Sequence, residues 1–235
     1  MNKHVRSLLI LWLLGVAITL TGCGRELQQR QAFITFLQKE VIPRNSGILI
    51  PTKAMRKKFG EYASHYDVII DFNKAMQEKI GRPLDKLQRE FSEAMKPEAT
   101  VKARTAATTK YRESLQEIEK TLDDELAVAE GRINQLVQPS ELKTVYTQAV
   151  DKHVRFPAKA LKAMIPATRE MLDKNLALLE FVGANKGKIE IRDGMIQVKD
   201  RSTLARLNEM QADIAKMAQN IQAQHTEFTR QSMGK

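Results

Sequence analysis

From Tyr111 to Leu136 an apolar or small residue recurs at Tyr111, Leu115, Ile118, Leu122, Leu126, Ala129, Ile133 and Leu136. Steps of four and three that average close to 3.6 residues leave little choice of structure. Such a stripe is one face of an amphipathic α-helix, and a strand would need alternation at a period of two. If the helix spans Val101 to Gln138 it is about 57 Å long at 1.5 Å per residue. Similar stripes flank it. One comprises Leu27, Phe33, Ile34, Phe36, Leu37 and Val41, and another runs from Met55 through Phe59, Tyr62, Tyr66, Ile69 or Ile70, and Met76 to Ile80. A short one runs from Leu84 to Met95, and the last from Leu204 to Phe228. Prolines and glycines fall in the gaps, so they read as punctuation. Pro157 and Pro166 are expected to interrupt the helical pattern that begins at Val145 and ends near Gly183.

One segment departs from the helical period. Lys188–Arg192 and Met195–Lys199 alternate about Asp193-Gly194, a two-residue hairpin signal. The turn predicts Ile191 opposite Ile196 and Ile189 opposite Val198. An isolated hairpin is marginal in water, so its apolar face must rest on helices. The fold expected is mainly α: a helical bundle with long amphipathic helices and one small β-hairpin at about 188–199.

The first 22 residues read as an address. Lys3 and Arg6 form a basic head, and Leu8 to Leu20 an apolar run of 13 residues. That run is short for a spanning helix and suited to a signal-peptide core. Leu20-Thr21-Gly22-Cys23 then resembles a bacterial lipobox, with small residues ahead of the chain's single cysteine. The expected organisation is a lipoprotein signal peptide at 1–22, a lipidated anchor and short linker at 23–29, and a single periplasmic domain at 30–235. Cys23 is the lipidation residue. Two or more acyl chains make a stable anchor where one does not. Gly24 is not the aspartate associated with inner-membrane retention, so the expected location is the outer membrane facing the periplasm.

That address changes the meaning of the charge. The whole chain carries 38 basic and 28 acidic residues, a net +10. Without Lys3 and Arg6 the mature chain is at +8. Such a balance ordinarily suggests nucleic acid, but an exported protein meets none. With Cys23 acylated no free thiol remains, which suits an oxidising compartment.

Several short motifs occur in one order along the mature chain: Arg30-Gln-Ala-Phe-Ile-Thr-Phe-Leu-Gln38, Lys58-Phe59-Gly60, Asn73-Lys-Ala-Met76, Pro157-Ala-Lys-Ala-Leu161, Ile165-Pro-Ala167 and Gly194-Met-Ile-Gln197. On these the chain resembles the YiaF-like family of uncharacterised lipoproteins of enteric bacteria. The resemblance implies lipidation at Cys23 and assigns no activity and no catalytic residue. The charged central helix and the lysines around Pro157 depart from the family pattern, so the resemblance lends their charges no role.

Catalytic signatures are missing: there is no Gly-x-Ser-x-Gly elbow, His-Glu-x-x-His or glycine-rich phosphate loop. No cofactor is expected. Glu61 and His65 stand four residues apart, a spacing that can place two metal ligands on one face, but two ligands do not make a site. They read as an exposed polar pair, and His225 as a partly buried packing residue. Asp123-Asp124-Glu125 lacks the ligand spacing of a calcium loop and reads as a solvated face.

The charge pattern is more informative. Residues 101–112 carry four bases and no acid, whereas 113–138 carry seven acids and two bases. This order opposes the helix dipole, so complementary charge is expected from a neighbouring helix or a partner. Lys152, Arg155, Lys159 and Lys162 follow at steps of three and four and form a candidate contact for anions, and Arg169 continues the run. Lys53, Arg56, Lys57 and Lys58 form another basic cluster. The expected function is a non-enzymatic scaffold or binding protein of the cell envelope, held to the membrane by its anchor. Its expected partners are an envelope protein, anionic lipid or peptidoglycan. The alternatives are a binder of anionic lipid or glycan through these basic patches, and an envelope enzyme.

Overall fold

The computed structural model describes residues 24–45, 47–96, 98–192 and 195–232. The signal segment, Cys23 and the Asp193-Gly194 turn lie outside the described residues. The chain is mainly α-helical, as the stripes require. Helix α1 covers 24–36, so 24–29, expected as linker, is already helical. It is followed by α2 (Lys53–Phe59), α3 (Ala63–Ala75), α4 (Arg82–Ala94), α5 (Val101–Gln135), α6 (Ser140–Val150), α7 (Phe156–Ala184) and α8 (Arg201–Ser232). Between α7 and α8 strands β1 (Ile189–Arg192) and β2 (Met195–Val198) pair antiparallel. Their register is the expected one, Ile191 opposite Ile196 and Ile189 opposite Val198.

Contacts group the chain into two compact units. The first holds the described residues up to Asp71 together with Gly131–His153, and the second holds Phe72–Glu130 and Val154–Lys235. Sequence patterning drew one domain over 30–235.

The first unit is built around aromatic side chains. Phe33, Phe36, Phe59, Tyr62 and Tyr66 are all buried, with the Phe36 and Phe59 rings 4.9 Å apart and Tyr66 edge-on to Phe36 at 5.1 Å. Such offset and edge-to-face pairs add ~1 kcal/mol each beyond area burial. In the second unit, α5 buries Leu115, Ile118, Leu122 and Ala129 of its stripe, and α7 buries Ala158, Ile165, Leu172 and Leu179. The hairpin rests on helices: Ile189 is buried with Val182 and Leu207, against Leu178, Phe181 and Val198.

Among the described residues three short π-helical turns interrupt the α geometry, at Leu37–Val41, Met76–Gly81 and Asp151–Arg155. In each case a proline follows two residues after the turn ends: Pro43, Pro83 and Pro157. A proline ring collides with the carbonyl four residues before it and offers no N–H to that carbonyl. Opening the preceding turn to i→i+5 bonding, as in the Ile42 N–H to Leu37 carbonyl bond of 2.8 Å, moves that carbonyl aside. The chain therefore stays helical from Ser140 to Ala184. The breaks expected at Pro157 and Pro166 are replaced by continuous helix: the π turn at Asp151–Arg155 accommodates Pro157, and Pro166 lies inside α7.

Gly60 ends α2 with φ 58° and ψ −129°, a combination open essentially only to glycine. It turns what reads as one stripe into two helices joined by the short 3₁₀ turn Gly60–Tyr62.

Candidate functional site

Both histidines of the first unit are buried. His65, on α3, is buried rather than an exposed partner of Glu61. Its ring stands edge-on to Tyr62 at 5.3 Å and to Tyr146 at 6.3 Å. The Gln138 amide N–H donates to His65 Nδ1 at 3.0 Å. That nitrogen must be an acceptor, which holds the ring in its neutral Nε2–H form. Tyr146 donates its hydroxyl to the His65 backbone carbonyl at 2.8 Å.

His153 is equally buried and lies in the third π turn. Its Nε2–H donates to the carbonyl of Val41, the last residue of the first π turn, at 2.8 Å. Burial lowers both histidines' pKa values. At His153, Lys152 and Arg44 push the same way while the Val41 carbonyl opposes; at His65, Glu61 opposes. Both imidazoles are therefore neutral near pH 7 and serve as hydrogen-bonding wedges.

Around them, Tyr62 donates its hydroxyl to Glu26, which also pairs with Arg30 at 3.4 Å. Burial first, then the Glu26 carboxylate, pushes the Tyr62 hydroxyl up to about 12. Tyr66 is likewise pushed up to about 12 by burial. The Arg44 charge and hydrogen bonding to the Leu49 backbone oppose that rise, although among the described residues no partner meets strict hydrogen-bond geometry at the hydroxyl. His65 had a sequence signal, since it sits three residues after the stripe position Tyr62.

Two surface grooves contrast in their charge. In the first unit an open groove of about 400 Å³ is floored by Ala32, Phe36, Met55 and Phe59, with Lys39, Lys58 and Glu40 at its rim. In the second unit a groove of about 350 Å³ is floored by Pro83, Leu87 and Ile118. Its lysines are taken by carboxylates: Lys79 by Glu125, and Lys86 and Lys110 by Glu90. Among the described residues no group of three or more His, Cys, Asp or Glu is arranged to hold a metal ion.

The candidate anion-contact residues divide between the units. Lys152, in the first, donates to the Asn45 side-chain oxygen at 3.2 Å. In the second unit Arg155 forms two hydrogen bonds with Glu130, at 2.6 and 2.8 Å, which hold that carboxyl below its usual range. Lys162 pairs with Asp123 at 2.6 Å, and Lys159 is exposed. These belong to a ladder between α5 and α7 that also includes Arg112 with Asp173 and Glu119 with Arg169. As the residue number rises on α5 it falls on α7, so the helices run antiparallel, and the sign of charge reverses on both in step. A parallel pairing would set Arg112 against Arg155, like against like. The neighbouring helix thus supplies the complementary charge that the dipole-opposed order of α5 calls for. His225, expected to be partly buried, is exposed on α8. Beyond Leu207 the apolar stripe of α8 is only half-buried, and its neighbour there is α7, with Phe228 against Phe156.

Comparison with known proteins agrees with the sequence motifs. The chain is 23% identical over 214 residues to "Uncharacterized protein YiaF" of Escherichia coli strain K12, covering 91% of this chain and 87% of the relative. The same figures hold for the proteins of that name in Escherichia coli O157:H7 and Shigella flexneri. No solved structure matches. The family described as "Protein of unknown function (DUF3053)" matches residues 10–228, and with that extent of agreement the chain belongs to this family.

Proposed function

We infer that this protein is a lipid-anchored scaffold or binding protein of the bacterial envelope, acylated at Cys23 and without enzymatic activity. It faces the periplasm from the outer membrane. The observation that carries the reading is the junction at residue 24. The lipobox-like Leu20-Thr21-Gly22-Cys23 leads into a chain that is helical from Gly24 onward, so no flexible spacer follows the cysteine. An acyl group there would hold the folded protein against the bilayer. The family match supports the reading in extent, since from residue 10 it takes in most of the apolar run and Cys23 as well as the helices.

The non-enzymatic part rests on how the buried polar groups are used. His65, His153 and Tyr62 are each engaged by a structural partner. Among the described residues no helix is long and apolar enough to cross a membrane. The alternative of an anion-binding face at Lys152, Arg155, Lys159 and Lys162 is weakened, because Arg155 and Lys162 are held by Glu130 and Asp123.

The test is fractionation of cells making the protein with and without Cys23→Ser. Retention of the wild-type chain in outer-membrane fractions, with the variant released to the periplasm, is expected. A Cys23→Ser protein that remains with the membrane as firmly as wild type, and bears the same lipid, overturns the reading.

A further inference from the structure

We propose that the groove of the first unit between α1 with its π turn and α2 is a docking surface for an anionic bilayer. The inference rests on the anchored reading above, and it names what the anchor brings the fold to.

The groove combines two properties. Its floor is apolar, made by Ala32, Phe36, Met55 and Phe59. Its rim carries Lys39 and Lys58, both exposed, and Lys53 and Lys57 stand one turn apart on the exposed side of α2. Among the described residues none of these four lysines has an ion-pair partner, whereas Arg56 beside them is fully engaged by Asp67 at 2.6 and 2.7 Å. The comparable groove of the second unit has its lysines neutralised by Glu125 and Glu90. Glu40 is the one carboxylate at the rim of the first, which leaves an excess of positive charge over an apolar floor.

An anionic phospholipid surface is complementary to both features: phosphates accept from the lysine ammonium groups, and the floor covers the start of the acyl region. Position agrees. The groove begins at Gln31, seven residues after Gly24 at the start of α1, about 11 Å along a helix that rises 1.5 Å per residue. A chain tethered at Cys23 therefore holds this surface within reach of headgroups.

The experiment uses the full chain carrying Cys23→Ser, so that binding is read without the acyl anchor. Flotation is measured with vesicles of phosphatidylcholine alone and with vesicles containing a third phosphatidylglycerol. Binding is expected only to the anionic vesicles and should fall as salt rises. Lys39→Ala and Lys58→Ala should each weaken it about fivefold, and together about thirtyfold. Lys216→Ala, at an exposed position of α8 outside every basic cluster named above, should leave it unchanged, with circular dichroism confirming that each variant folds. Binding that does not depend on phosphatidylglycerol, an undiminished double variant, or sedimentation with isolated peptidoglycan in place of vesicles would each overturn the proposal. Failure of the anchored reading would show separately, as an unacylated Cys23 in the wild-type protein.

Discussion

Replacing His153 by phenylalanine keeps an aromatic ring and deletes the donor. The imidazole is 8% exposed, and its Nε2 lies 2.8 Å from the Val41 carbonyl. That carbonyl ends a π turn just before Pro43, and its other donor is the Arg44 N–H at 3.1 Å. Removing a buried donor costs between the net worth of a neutral hydrogen bond and the full desolvation of the acceptor, about 1–3 kcal/mol. His153→Ala also empties the ring's volume and should cost more.

The loss should depend on pH, with a sign that follows from burial. Burial holds the His153 pKa below its ordinary value, as it does for His65. In the unfolded chain both titrate near ~6.5. Below that pH the unfolded state binds protons that the folded state refuses, so wild-type stability falls from about pH 7 toward the depressed native values. The variant has lost one of the two sites. Its deficit against wild type should therefore shrink between pH 7.5 and 5.5. Urea unfolding followed by circular dichroism at both values measures this. An equal deficit at both, or one under about 0.5 kcal/mol, would refute a neutral, hydrogen-bonded His153 as the wedge between the two π turns.

Other perturbations separate the remaining causes. Gly60→Ala should cost about 1–3 kcal/mol from its φ of 58° alone. Gln29→Ala should recover only part of that loss, because a Cβ at residue 60 would lie 2.0 Å from the Gln29 side chain. In a double-mutant cycle on Glu130 and Arg155, with side chains 31% and 39% exposed, the coupling should be about 0.5–1 kcal/mol and shrink in high salt. Exchanging the two charges should restore much of it, and no recovery would mean that the ladder does not select the pairing. Leu122→Ala, at a site 1% exposed, should lose about 2–5 kcal/mol by denaturant titration, whereas Val128→Ala, on the exposed side of the same helix, should change stability little.

What could be read from the residues and what could not divide along physical lines. The spacing from Tyr111 to Leu136 specifies a helix because burying one face suffices to enforce it, and Asp193-Gly194 sets the pairing of Ile189 with Val198 because a two-residue turn admits one register. The π turns were not legible. Proline signals a break, yet whether the chain stops or widens by one residue depends on what the displaced carbonyl then meets, as the Val41 carbonyl meets His153. Glu61 and His65 read alike as polar neighbours, but Glu61 is exposed in the 3₁₀ turn Gly60–Tyr62 whereas His65 is buried on α3. The bases around Pro157 looked like a free cationic face, since nothing local shows that Glu130 and Asp123, 25 and 39 residues earlier, stand opposite. By contrast, Lys39 and the lysines of α2 have no ion-pair partner among the described residues.

Intact mass spectrometry of the protein isolated from the cells that naturally make it bears most directly on the anchor. A chain beginning at residue 23 and carrying a diacylglyceryl group with a further N-terminal acyl chain is the expected mass. A chain that retains residues 1–22, or one whose Cys23 is a free thiol, would contradict the anchored reading.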